Sequence, residues 1–496
     1  MKITTAFVAV AALVGLSVDG QSVRCSSQWV RKEVRNLSPS ELNTVKSTIT
    51  AMQNAGWMGW FAYLHSNNFG TIHNCEHFLP FHRRFVHDFE SVGRRINPAF
   101  VLPYWDELRD YANPAASDIF TSNYFGGNGQ GSNHCVTNGM QANWQMSYPS
   151  NHCFARQFNN GNRINAWYSP EYIQSVLSRS STMAQIRAGI EYSLHGAIHL
   201  AVGGDMVQMH SPNDFIFWLH HANIDRLWSV WQGSNRIWTM DGVDTANKPL
   251  TLSSNVIAYN EPIWTVMQLG YNKMCFSYDN VGSVSNRRRS LDKRNAVYSA
   301  TAPKKCIPRP VTTPVKAYVP PLVNGVFENF QNMTVNADKF VETYVAQKLP
   351  APVLNKWFPT YAANPSNNGT TTGPEYSAVP LPSAEASGSE SAEASESGSY
   401  VALPSAEASD VYNSAEESAL YSEDYVAYED TEGNALYGLD NGKGPAYPMP
   451  NPYPLTPAWC AMHKFPAEDV HKFYADAKEF VRDMNNVGYQ SPFAKV

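Results

Sequence analysis

Ser211-Pro-Asn-Asp-Phe-Ile-Phe-Trp-Leu-His-His-Ala-Asn-Ile-Asp225 reads as a loop that enters a helix carrying His220 and His221, with a carboxylate four residues after the second histidine. Just upstream, His195-Gly-Ala-Ile-His199 sets two imidazoles at i and i+4. On a helix these share a face about one turn apart and can ligate one metal. Further back lies His73-Asn-Cys-Glu-His-Phe-Leu-Pro-Phe-His82-Arg-Arg-Phe-Val-His-Asp-Phe-Glu90. Here His73 comes from a loop and His82 from the helix that follows Pro80. His65, at the end of a preceding helix, closes a triplet with them.

Twelve of the 14 histidines fall between His65 and His221. Two sets of three stand out, His65, His73 and His82, then His195, His199 and His221. Neutral imidazole brings a lone pair without a charge. Imidazoles with no carboxylate or thiolate in matching positions suit a pair of borderline metals such as copper. Asp225, one turn after His221, is placed to orient it from outside the ligand set. His77 and His87 read as packing or surface residues.

The chain has 496 residues, is 43% hydrophobic and carries a formal charge of −6. It is long enough for a large core, and nothing in its charge argues for nucleic acid. Residues 1–20 read as a secretory signal, with Lys2 before the apolar run Ala6 to Val18 and cleavage near Gly20. No other stretch is apolar enough to span a bilayer, so an exported, soluble, extracellular protein without membrane partners is expected. Seven cysteines fit that compartment. Cys25, Cys135, Cys153, Cys275, Cys306 and Cys460 could form three disulfides, and Cys135 with Cys153 is the most local pairing. Cys75, inside the first histidine cluster, is the odd one out. Asn36, Asn332 and Asn368 stand in glycosylation sequons.

Residues 22–285 read as one compact domain. Helical patterns run over Ser40 to Gln53, Phe81 to Arg95, Glu171 to Leu177, Met183 to His199 and Phe215 to Trp231, with long polar loops between them. The expected fold is mainly α: a helical core, four-helix-bundle-like around a dicopper centre, with long loops. Residues 286–375 form a Pro-rich extension, with a helix over Val323 to Gln347. Its basic run 287–294 is either a solvated loop or a cleavage site for a processing protease. Residues 376–442 repeat Leu-Pro-Ser-Ala-Glu-Ala-Ser and read as a disordered acidic linker. In the tail, 443–496, helical periodicity returns from Trp459 to Asn486. Trp459, Met462, Phe465, Val470 and Phe473 mark the face expected to dock on the core.

The two histidine stretches together resemble the tyrosinase family of coupled binuclear copper proteins, which includes tyrosinases, catechol oxidases and hemocyanins. The match runs through His73, Phe78, Phe81, His82, Arg83 and Glu90, then Asp214, Phe217, Trp218, His221 and Asp225. Phe215 stands where the family has proline. The resemblance covers about residues 25–285. It implies two copper ions, one held by His65, His73 and His82, the other by His195, His199 and His221, with His220 a non-ligating neighbour. It also implies oxidation of o-diphenols, and in tyrosinases of monophenols, to o-quinones with O2. Glu191, four before His195, has the spacing of the carboxylate that orients a basic water. Gly196 replaces the asparagine that would help it, which favours diphenol oxidation. Met206, Gln208, Met209 and His210 fall on the loop that borders the substrate entrance. Phe276 or Tyr278 is expected to meet Arg31 or Arg35 and so mark the end of the core. Relatives also link a cysteine to a site histidine by a thioether, and Cys75 is either that cysteine or a free or disulfide-bonded one. The tail reads as a latency device. An oxygen carrier of hemocyanin type, or a matrix protein with a vestigial site, is the alternative reading.

Overall fold

The computed structural model describes residues 22–233, 235–279, the strand pair 322–323 and 326–327, 345, 348–362 and 448–494. The signal segment, the basic run 287–294, the acidic linker, Cys306, Asn332 and Asn368 lie outside the described residues.

Helix α1, Pro39–Asn54, starts at a capping box in which Ser38 and Glu41 satisfy each other's backbone N–H groups. Helix α2, Trp57–Ile72, follows a left-handed Gly56. The sequence pattern did not resolve α2, because its apolar residues circle the helix instead of lining one stripe. His65 therefore sits in mid-helix, and not at a helix end. Phe61, His65 and Phe69 are spaced by four and fall on one buried face. Helix α3, Phe78–Ile96, tolerates Pro80 in its first turn, where a missing N–H costs nothing. Helix α4 spans Pro170–Arg179, α5 Met183–Ile190, α6 Gly196–Val202 and α7 Phe215–Gln232. The helix expected over Met183 to His199 is real but interrupted: Glu191–His195 forms a single π turn between α5 and α6. Such wide turns collect at functional sites.

Phe215, the departure from the family pattern, has its reason here. Asp214 caps α7 by accepting from Ile216 N, and Phe215 N donates to Gln141 Oε1 at 2.9 Å. Proline could not make that bond.

The strand Trp29–Arg31 pairs in parallel with Phe276–Tyr278, beside the disulfide Cys25–Cys275. Arg31 lies 3.6 Å from the Phe276 ring centroid and donates to Tyr278 Oη at 3.0 Å. This is the expected contact, with Arg31 as the partner. Arg35 instead pairs with Glu33 and Asp110. Cys135–Cys153 is the second disulfide. Cys460, counted from sequence among the bridged cysteines, is a buried free thiol, as is Cys75.

Where a helix was expected over Val323 to Gln347, Leu322–Val323 pairs antiparallel with Val326–Phe327. Helix α8, Ala351–Trp357, and the tail helices α9, Pro457–His463, and α10, Ala467–Asn486, pack on the core. Helix α10 is tied to α4: Tyr172 Oη and Arg179 Nη2 both donate to Asp476 Oδ2, at 3.0 and 2.6 Å. Among the described residues no helix is long and apolar enough to cross a membrane.

Candidate metal centre

Helices α2, α3, α6 and α7, with the turn that leaves α2 at His73 and the π turn that ends at His195, bring all six expected histidines together. The ligand atoms of His65, His73 and His82 lie within 4.8 Å of one another, and so do those of His195, His199, His220 and His221. The two groups face each other: the rings of His82 and His221 stack at 4.1 Å and 11°.

Local backbone sets which nitrogen each ring offers. His65 Nδ1 is 2.7 Å from Met209 O, His73 Nδ1 3.1 Å from Phe69 O, His82 Nδ1 2.8 Å from Phe78 O and His199 Nδ1 2.6 Å from Met206 O. A carbonyl only accepts, so each Nδ1 carries the proton and each Nε2 keeps its lone pair. His65 Nε2 and His82 Nε2 converge to 3.5 Å. In the second group, His199 Nε2, His220 Nε2 and both ring nitrogens of His195 and of His221 are buried without a partner. Leaving so many buried polar atoms unpaired is costly unless something binds them. Burial pushes His65 down to about 4 and the other five well below the usual range, so all six are neutral, the form that ligates. An all-imidazole, neutral, convergent donor set fits two copper ions.

His220 enters the second group although sequence set it aside. Its ring stacks on His195 at 5.6 Å and 24°, while its Nδ1 lies 3.1 Å from buried Glu107 Oε1. Asp225 does not address His221, as sequence suggested. It accepts from Arg83 Nε and, at 2.6 Å, from Tyr278 Oη, and so locks α3 to α7. His77 and His87 stay outside both groups.

Glu191 is fully buried on the π turn. Its Oε1 accepts from Asn74 N at 2.9 Å and its Oε2 from Arg187 Nη1 at 3.2 Å. Burial pushes it up to about 7, against the pull of Arg187 and the Asn74 N–H. Each oxygen thus accepts one bond, and one of them pins Asn74, whose φ of 54° makes the turn out of His73.

The entrance-loop residues divide. Met206 is fully buried in the core, and its contribution is the carbonyl on His199. Gln208 and Met209 are exposed, and the Met209 carbonyl serves His65. His210 turns to Asp205 at 3.6 Å, beside His152 at 2.8 Å from the same oxygen. One short loop therefore orients a histidine of each group. Cys75 Sγ donates to Thr71 O at 3.3 Å, and burial pushes its thiol up to about 12.

The tail covers this centre. The Trp459 ring lies 5.3 Å from that of His199, and the His463 ring 5.0 Å from that of His73. Gly196 is where the tail fits. A Cβ there would stand 2.8 Å from both Leu455 methyls and 3.1 Å from Trp459 Nε1. Asn74 Nδ2 donates to Lys464 O at 2.7 Å, which ties the end of α9 to the His73 turn. Sequence marked Trp459 as a docking residue but missed His463. Its signal was faint: one of two histidines outside the main cluster, one turn after that tryptophan.

The family profile described as the common central domain of tyrosinase matches residues 55–234, which hold all six histidines. A tyrosinase from Aspergillus flavus, ustQ, is 34% identical over 234 residues, 42% of this chain and 65% of that protein. A tyrosinase-like protein from Diaporthe leptostromiformis, phomQ1', is 31% identical over 254 residues, 44% of this chain and 67% of that one. This chain thus spans about two thirds of the length of these relatives. A solved polyphenol oxidase from Thermothelomyces thermophila is 20% identical with a TM-score of 0.44, over 52% of this chain and 90% of that one.

Proposed function

This chain belongs to the tyrosinase family, and from that premise we propose that it is a secreted, copper-dependent phenol oxidase that converts o-diphenols to o-quinones with O2. The observation that carries this reading is the facing pair of neutral, buried, partner-poor imidazole groups. His65, His73 and His82 would hold one copper, and His195, His199 and His221 the other. Copper, when bound, supplies O2 activation and takes the two electrons of each diphenol. The chain's own residues fix the ligand tautomers through backbone carbonyls, keep water out by burial, and hold the two groups face to face.

Diphenol oxidation is favoured over monophenol hydroxylation. Hydroxylation needs a base near the centre to deprotonate the phenol. Glu191 has both oxygens engaged, and Gly196 offers no polar side chain to orient a water. We assign Glu191 a positioning role on the His73 turn. Gln208, Met209 and His210 are the substrate contacts at the rim of the entrance.

The tail makes the described form latent, since Trp459 and His463 stand where a phenol ring would approach the ligands. Cleavage at the basic run by a processing protease would release it. The test is oxygen uptake by copper-loaded, tail-trimmed protein, with a catechol and then with a monophenol. Uptake with catechol alone is expected. Equal initial rates with both would refute the assignment of Glu191 and Gly196.

A further inference from the structure

We propose that His152, Asp205 and His210 form a third metal site, separate from the two copper groups, that takes a zinc-class divalent ion and clamps the entrance loop. The site is independent of the phenol oxidase reading, and only its effect on catechol rests on that reading.

The donor set comes first. One ligand atom from each of the three side chains lies within 4.8 Å of the others, and none of the three belongs to either histidine group. His152 Nε2 stands 2.8 Å from Asp205 Oδ1, and His210 Nε2 stands 3.6 Å from the same oxygen. Two ligands on a tetrahedral zinc, each at about 2.0–2.1 Å, lie about 3.4 Å apart. The two gaps bracket that spacing, so the contacts to Asp205 need shifts of roughly half an ångström to admit an ion. Two imidazoles and one carboxylate are a common zinc set, with a fourth position left for water.

Two of the ligands are held from behind. His152 Nδ1 lies 2.8 Å from Ser150 O, and the residue sits in the strand His152–Cys153, beside the disulfide Cys135–Cys153. Asp205 Oδ2 accepts from Ala155 N at 2.9 Å, and its Oδ1 accepts from Asn213 Nδ2 at 2.9 Å. Asn213 is fully buried and also donates to Tyr148 O. Outer partners of this kind fix how a ligand faces its metal.

His210 is the residue that a plain ion pair does not explain. Asp205 Oδ1 already has His152 and Asn213, and His210 at 3.6 Å is beyond hydrogen-bond reach. A brace for the loop needs one histidine. The second becomes useful when an ion stands between them. The side chains of His152 and His210 are 28% and 18% exposed, so an ion can enter from solvent onto a buried carboxylate.

Position in the chain gives the consequence. Asp205 and His210 flank Met206 and Met209, whose carbonyls orient His199 and His65. An ion joining Asp205 to His210 closes the loop over that span, and His152 ties it to the neighbouring strand. It also turns His210 away from a phenol at the rim.

Full-length protein carrying two copper ions is dialysed against zinc, and its metal content is measured. Wild type should hold one zinc beside its two coppers, with zinc X-ray absorption showing two imidazoles. H152Q keeps a donor for Asp205, and H210Q removes the other imidazole. Each should keep both coppers and bind zinc at least about 100-fold more weakly. No third ion, zinc taken only by displacing copper, or equal zinc affinity in wild type and both variants would overturn the proposal. In tail-trimmed protein, zinc should raise the KM for catechol several-fold in wild type and leave it unmoved in H152Q. An unchanged wild-type KM with zinc bound would overturn the clamp. If trimmed protein turns over no catechol, the oxidase reading fails, and the zinc count still decides the site.

Discussion

His199 shows how a single residue joins sequence to chemistry. It is held by one carbonyl of the entrance loop and carries an unpaired Nε2 into the second group. The H199A variant should lose one of two copper ions per chain by metal analysis, with at least about 100-fold weaker binding at that half-site. Retention of both ions would contradict the ligand assignment. Glu90 makes a different argument. Burial alone would raise its carboxyl, but the guanidiniums of Arg31 and Arg94 overcome that and hold it at about 2 against 4.5. A folded value below the unfolded one means stability that is present above pH 4.5 and lost as pH falls toward 2. The acid-unfolding curve of E90Q should therefore be flatter across that window, and an unchanged slope would refute the assignment. The six core histidines were legible because spacing and chain order carried them. His463 was not, because its partner in space lies nearly four hundred positions away and no local pattern marks it.

Among the elements, the π turn Glu191–His195 and helix α2 escaped the sequence reading for opposite reasons. Helical periodicity runs on through the π turn, so nothing local announces the extra residue. Helix α2 is buried on too many sides to show a stripe, and only its Phe61, His65, Phe69 spacing betrays it. The meeting of α6 and α9 yields an element-level prediction. In G196V the new side chain must displace Leu455 or Trp459, because its Cβ alone would stand 2.8 Å from the Leu455 methyls. The variant should be partly active without trimming, so the gain in catechol turnover on proteolysis should shrink several-fold. An unchanged gain would show that the tail does not seat on Gly196. At the start of α7, F215P should destabilise by about 3 kcal/mol or more, from loss of a fully buried ring and of the bond to Gln141. Thermal unfolding checks it, and a stabilised variant would refute the account of that turn.

For the whole molecule, the long-range closures matter most. The Cys25–Cys275 bridge spans 250 positions and fastens the strand pair that carries Arg31 and Tyr278. Removing it as C25A/C275A should cost roughly 2–5 kcal/mol. Sequence anticipated the meeting of Arg31 with Tyr278, and found the Cys135–Cys153 pair because the two are near neighbours in the chain. It could not pair Cys25 with Cys275, since connectivity follows from the fold and not from cysteine spacing. Nor could it show that the tail rests directly on the clustered histidines, although the apolar marks from Trp459 to Phe473 foretold docking.

The central claim is an oxidase whose copper centre is closed by its own tail. Oxygen uptake with a catechol, by protein carrying two copper ions per chain, measured before and after limited proteolysis of the tail, tests it most directly. The account predicts little uptake before cleavage and a rise of at least tenfold after it (about 1.4 kcal/mol of relieved block). No uptake in either state, with both coppers bound, would contradict it.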